Sequence, residues 1–175
     1  MPTTLAFVRG GEGEGADRVY VTRVDGPEES FRIWPSVAGL PHDLAHLVVE
    51  TGMGLVLGFW GLVAAGGRPT APVGDHDPTQ LLQAEIVVNV LTGYGSQDHT
   101  TDADRTAAVT AACQAAAVIP PPGVDEATIA RLRAALTEEA TAWVSLPRGT
   151  ALCRRWPPPA PDAGPREPHE WGPPS

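Results

Sequence analysis

Four residues of the stretch Gly39-Leu-Pro-His-Asp-Leu-Ala-His-Leu-Val-Val-Glu50 are of types that do chemistry: His42, Asp43, His46 and Glu50. Placed at about 100° per residue around an α-helix, they fall within a sector about 100° wide. Leu44, Ala45, Leu47, Val48 and Val49 fill the remaining arc. A helix that is otherwise apolar thus carries one polar strip of two imidazoles and two carboxylates. Two histidines at i and i+4 project from one face and can share a divalent ion, which in turn activates a water. The expected chemistry is therefore hydrolysis at a divalent-metal site, with zinc or another divalent metal as the cofactor. Glu50 lies one turn beyond His46 and can touch it. His42 and Glu50 are two turns apart, about 12 Å of rise, so all three on one ion would be strained. A His46–Glu50 pair completed from another element is easier.

The stretch Thr79–Leu91 supplies that element. On a helical wheel Glu85, Asn89 and Thr92 form a narrow polar strip flanked by Leu81 and Leu82, and Ile86, Val87, Val88 and Val90 continue an apolar surface. A carboxylate in such a setting needs a partner or a raised pKa. Packing the Glu85 strip on the His46 strip satisfies both, so the expected metal ligands are His42, His46, Glu50 and Glu85. Asp75, His76, Asp77 and His99 sit in loops flanking the same helix.

The same residues have structural readings. Asp43 near a helix N-terminus complements the helix dipole. His46 can be a core histidine bonded to Glu50 or Glu85 with no metal, fixing how the helices pack. Glu85 can pair with Arg105 or Arg131 instead. Trp34, Trp60 and Trp143 read as core side chains.

The elements that must position the strip follow from periodicity and punctuation. Leu5–Val8 reads as a short strand. Arg18–Val24 alternates polar and apolar, as does Ser30–Trp34, and Asp25-Gly26-Pro27 between them is a turn signal, so the two form an antiparallel hairpin. Pro41 suits the first turn of the His-bearing helix, and Gly52 and Gly54 end it. Leu55–Ala65 is apolar on all sides and reads as a buried helix closed by Gly66 and Gly67. Pro78 opens the helix Thr79–Leu91, and Gly93 closes it. Asp102–Val118 is an Ala-rich helix stopped by Pro120–Pro122. Asp125 is the expected N-cap of an amphipathic helix with Ile129, Leu132, Leu136, Ala140 and Trp143 on one face. Thr150–Trp156 reads as a last short strand returning to the N-terminal sheet. The expected fold is α+β: a small antiparallel sheet, then four to five helices. Residues 1–156 are expected to form a single domain, and Pro157–Ser175, mostly Pro, Gly and charge with almost no apolar content, a disordered tail.

His42-Asp-Leu-Ala-His46 resembles the His-Glu-x-x-His helix of zinc metallopeptidases, with Asp43 in the Glu position. The resemblance covers these five residues and implies that His42 and His46 are ligands and Asp43 the catalytic base. Asp is one methylene shorter than Glu, and no downstream third ligand follows at a metallopeptidase spacing. The wider stretch from Leu40 through Gly58-Phe-Trp-Gly-Leu-Val-Ala-Ala-Gly66 also resembles a group of small bacterial proteins with a Pro-His-Asp-Leu-x-His core followed by Gly-Phe-Trp-Gly. That resemblance covers this stretch alone and implies no activity.

Composition narrows the partners. The 175 residues carry a formal net charge of −9 with no basic stripe, which argues against nucleic acid. The longest apolar run, Gly54–Gly66, is too short to span a bilayer. The N-terminus has no signal-peptide pattern, so a cytoplasmic location is expected. Cys113 and Cys153 have no metal-type spacing and read as small buried hydrophobes. Two functions of different class remain. One is a His/carboxylate metal site supporting hydrolysis. The other is a non-catalytic binding or interaction module in which the strip is structural and Leu55–Ala65 forms a core or a homodimer interface.

Overall fold

The computed structural model describes residues 3–10, 16–24, 26, 28–33, 39–68, 77–93 and 100–156. The expected closing tail, Pro157–Ser175, lies outside them, as do Trp34, Asp75, His76 and His99. The chain is an α+β protein. Its elements run β1 (Thr3–Val8), β2 (Arg18–Thr22), β3 (Glu29–Arg32), α1 (His42–Met53), α2 (Phe59–Ala64), α3 (Thr79–Thr92), α4 (Asp102–Ala115), α5 (Glu126–Ser145) and β4 (Ala151–Trp156). The chain forms two compact units. One is Met1–Ile33 with Ser145–Ser175, and the other is Trp34–Val144.

The first unit is a four-stranded antiparallel sheet in the order β3-β2-β1-β4. The alternation in β2 buries Val19 and Val21 and turns Arg18 and Thr22 outward. Register does the rest: Leu5 lies opposite Val21 and Phe7 opposite Val19, so one apolar face is continuous across the central strands. The closing strand returns beside β1 as expected, and pairs Trp156 with Thr3. Cys113 is buried, but Cys153 is only half-buried. It sits on β4, an edge strand covered on one side only.

The second unit holds the five helices, and α1 packs on α2 and α3 and α3 on α4. Pro41 stands just outside α1, and its carbonyl accepts the N–H groups of Leu44 and Ala45 at 3.0 Å. Gly54 ends α1 at φ 68°, a conformation that favours glycine. A Cβ on Gly52 would collide with the Leu132 side chain, so glycine there lets α5 approach α1. The expected helix over Leu55–Ala65 forms only as Phe59–Ala64. Leu55–Gly58 is instead a turn that leaves Val56 63 % and Leu57 39 % exposed, while Trp60, Leu62 and Val63 are buried as expected. An all-apolar run carries no periodicity to mark where a helix begins. Here Gly58 starts it, in an extended conformation.

Asp77 Oδ1 accepts the N–H of Thr79 at 2.9 Å at the start of α3. Thr101 and Asp104 form a capping box on α4. That helix stops at Ala115, three residues before the expected Val118, and Ala117 turns left-handed at φ 56°. Asp125 caps α5, accepting the Thr128 N–H at 2.7 Å. Among the described residues no helix is long and apolar enough to cross a membrane.

Candidate metal centre

Helix α1 sets His42 and His46 one turn apart on one face, and α3 brings Glu85 across to them. His46 Nε2 stands 2.9 Å from Glu85 Oε2 and 3.2 Å from His42 Nε2, and His42 Nε2 stands 3.4 Å from Glu85 Oε2. Three ligand atoms therefore close a nearly equilateral triangle. A tetrahedral ion with bonds of about 2.0–2.1 Å needs ligand atoms about 3.3 Å apart. The side chains fit such an ion with little movement. The two imidazole rings meet edge to face, 4.8 Å between centroids.

A second layer holds these side chains from behind. Glu50 is fully buried and lies on the other side of the His46 ring, with Oε1 3.3 Å from Nδ1. Its Oε2 accepts the main-chain N–H of Trp60 at 2.9 Å. The Trp60 indole N–H reaches back to the Asp43 carbonyl at 2.7 Å, so α1 and α2 are tied twice. On α3, Asn89 Nδ2 donates to Glu85 Oε1 at 3.0 Å, one turn away. That leaves Glu85 Oε2 to face the histidines. Asn89 Oδ1 is buried with no hydrogen-bond partner among the described residues.

Electrostatics follow from this arrangement. Burial alone would push His46 down, but the hydrogen bonds and charges of Glu50 and Glu85 outweigh it and raise its pKa to about 9. Burial pushes the Glu50 carboxyl up, against the pull of His46 and of the α2 amides. His42 and His46 together hold Glu85 well below the usual carboxylate range. Glu85 keeps 42 % of its side chain exposed against 5 % for His46, so the triangle is closed on the Glu50 side and open beside Glu85.

Of the expected ligands, the structure brings together His42, His46 and Glu85. Glu50 touches His46, as its spacing suggests, but on the nitrogen facing away from that group. Asp43 is buried and is not among the converging residues either. Among the described residues Glu85 pairs with the histidines and not with arginine: Arg105 bonds Asp102, and Arg131 bonds Thr128. Sequence reasoning missed the bond from Asn89 to Glu85, although the i, i+4 spacing of the two carried the signal, and the bonds from Trp60 to Glu50 and Asp43, for which no local signal exists. Comparison with family models, with curated proteins and with solved structures finds no match.

Proposed function

We propose that this chain binds a divalent metal ion, zinc foremost, through His42 Nε2, His46 Nε2 and Glu85 Oε2. The observation that carries the reading is the triangle of 2.9, 3.2 and 3.4 Å between those atoms. Two imidazoles and one carboxylate are a donor set that suits zinc, and three protein ligands leave a fourth position. A metal bound there would supply an activated water for hydrolysis. The exposure of Glu85 supports an open position on that side. The resemblance of His42–His46 to the metallopeptidase helix supports the same chemistry. The reading gives Asp43 no step, because its side chain is buried and stands outside the converging group.

A second reading has its own observation. Without metal, a protonated His46 donates to Glu50 and Glu85 at once and ties α1 to α3, a purely structural network. The exposed Val56 and Leu57 then offer an apolar surface for a partner or a second copy. Calorimetric titration of metal-stripped protein separates the two. Saturable zinc binding at micromolar or tighter affinity in the wild type, lost in His46→Gln, supports the metal centre. No binding to the wild type leaves the structural reading.

A further inference from the structure

We propose that Glu50 is a positioning residue of this centre: its carboxylate places the hydrogen of His46 on Nδ1 and so presents the Nε2 lone pair to the metal. The proposal rests on the metal-binding reading above. A neutral imidazole carries one hydrogen, and the acceptor it faces decides which nitrogen holds it. His46 faces acceptors on both sides, Glu50 Oε1 at Nδ1 and Glu85 Oε2 at Nε2. A hydrogen on Nε2 would point at Glu85 and block the nitrogen that must bind the ion. The two acceptors are not equal. The Glu85 contact is the shorter, 2.9 Å against 3.3 Å, but Glu85 is part-exposed, so water weakens its pull, whereas Glu50 is fully buried and its bond to His46 is shielded from solvent.

The surroundings of Glu50 are built to keep it there. Its carboxylate is held by the main-chain N–H groups of Trp60 and Phe59 as well as by His46. Gly58 makes room: a Cβ at that position would collide with the Glu50 carboxylate. A charged acceptor fixed in this way behind a metal-bound histidine both orients the ring and raises its basicity. Glu50 thus serves the centre without touching the ion, in keeping with its place on the far side of the His46 ring.

The test uses full-length protein, zinc as the probe, and two readouts. Zinc affinity by chelator competition is expected to fall about 10- to 100-fold in Glu50→Gln. A structural role alone would lower the melting temperature and leave that affinity unchanged, which would overturn the proposal. The second readout is long-range ¹H–¹⁵N NMR of the zinc-loaded wild type, which needs no variant and decides the matter even if Glu50→Gln does not fold. The expected spectrum has His46 with a slowly exchanging Nδ1–H and Nε2 bound to zinc. Zinc on Nδ1, or a rapidly exchanging Nδ1–H, would overturn the role of Glu50 while leaving the metal site standing. A wild type that binds no zinc overturns both.

Discussion

The sheet unit and the helical unit treat polar side chains in opposite ways. In the sheet the buried residues are Leu5, Ala6, Phe7, Val19, Val21 and Trp156 with one small polar companion, Thr3, while Arg18, Arg32 and Arg155 are exposed. The helical unit buries Asp43, His46, Glu50 and Gln83. Ionisable groups are costly inside a protein unless they are paired, and a packed apolar core of the same volume is often as stable. The sheet buries no charged side chain among its described residues. The helical unit departs from this pattern along one strip, where His46, Glu50 and Glu85 hold one another. That departure marks where stability alone does not explain the residues chosen.

The largest effect on stability should come from the apolar part of the helical unit. Trp60→Ala removes a fully buried ring and the indole bond to Asp43, and should cost about 3–5 kcal/mol in urea unfolding. A near-neutral result would show that α2 contributes little to its unit's core. Next comes the buried strip. In metal-free protein His46→Ala leaves Glu50 buried with its main-chain donors alone and should cost about 1–3 kcal/mol. A cost near zero would show that the strip is not a network and would erase the contrast with the sheet.

The strip also predicts a pH dependence for the metal-free protein. His46 titrates at about 9 against an ordinary 6.5, so its contribution is fully present below pH 6.5 and is lost as pH rises through 9. Glu50, raised by burial, acts in the same direction. Glu85 acts oppositely: held low, its contribution is present above 4.5 and lost as pH falls. The melting temperature should therefore decline between pH 6.5 and 9, and His46→Gln should flatten the decline. A slope that survives the substitution would assign it to other groups. Smallest of all should be Arg18→Ala on the exposed sheet face, where the side chain bonds only Ser30 among the described residues. A change within about 0.5 kcal/mol is expected, and a larger one would mean that the outer face of the sheet also carries structural polar contacts.

Much of this contrast was legible in the sequence, because two periods wrote it. The alternation around Val19 and Val21 marked the half-buried hairpin. The i, i+4 recurrence of His42, His46 and Glu50 marked a polar strip on an apolar helix, and the wheel of α3 put Glu85 on a matching strip. What remained hidden depends on side-chain rotation and long-range contact. Spacing brings Glu50 to His46 but does not say which ring nitrogen it meets, and that nitrogen separates a member of the converging group from a residue behind it. The bond from the Trp60 indole to the Asp43 carbonyl depends on α2, whose start was obscured by an apolar run without period. Gly58 looked like any glycine in that run until the Glu50 carboxylate was found where its Cβ would be.

The most direct test of the metal centre is a crystal of zinc-loaded protein measured on both sides of the zinc absorption edge. The expected anomalous peak lies about 2.0–2.1 Å from His42 Nε2, His46 Nε2 and Glu85 Oε2, with Glu50 still on His46 Nδ1. No peak there, or a peak at His76 or His99, would contradict the account and leave α1 as scaffold.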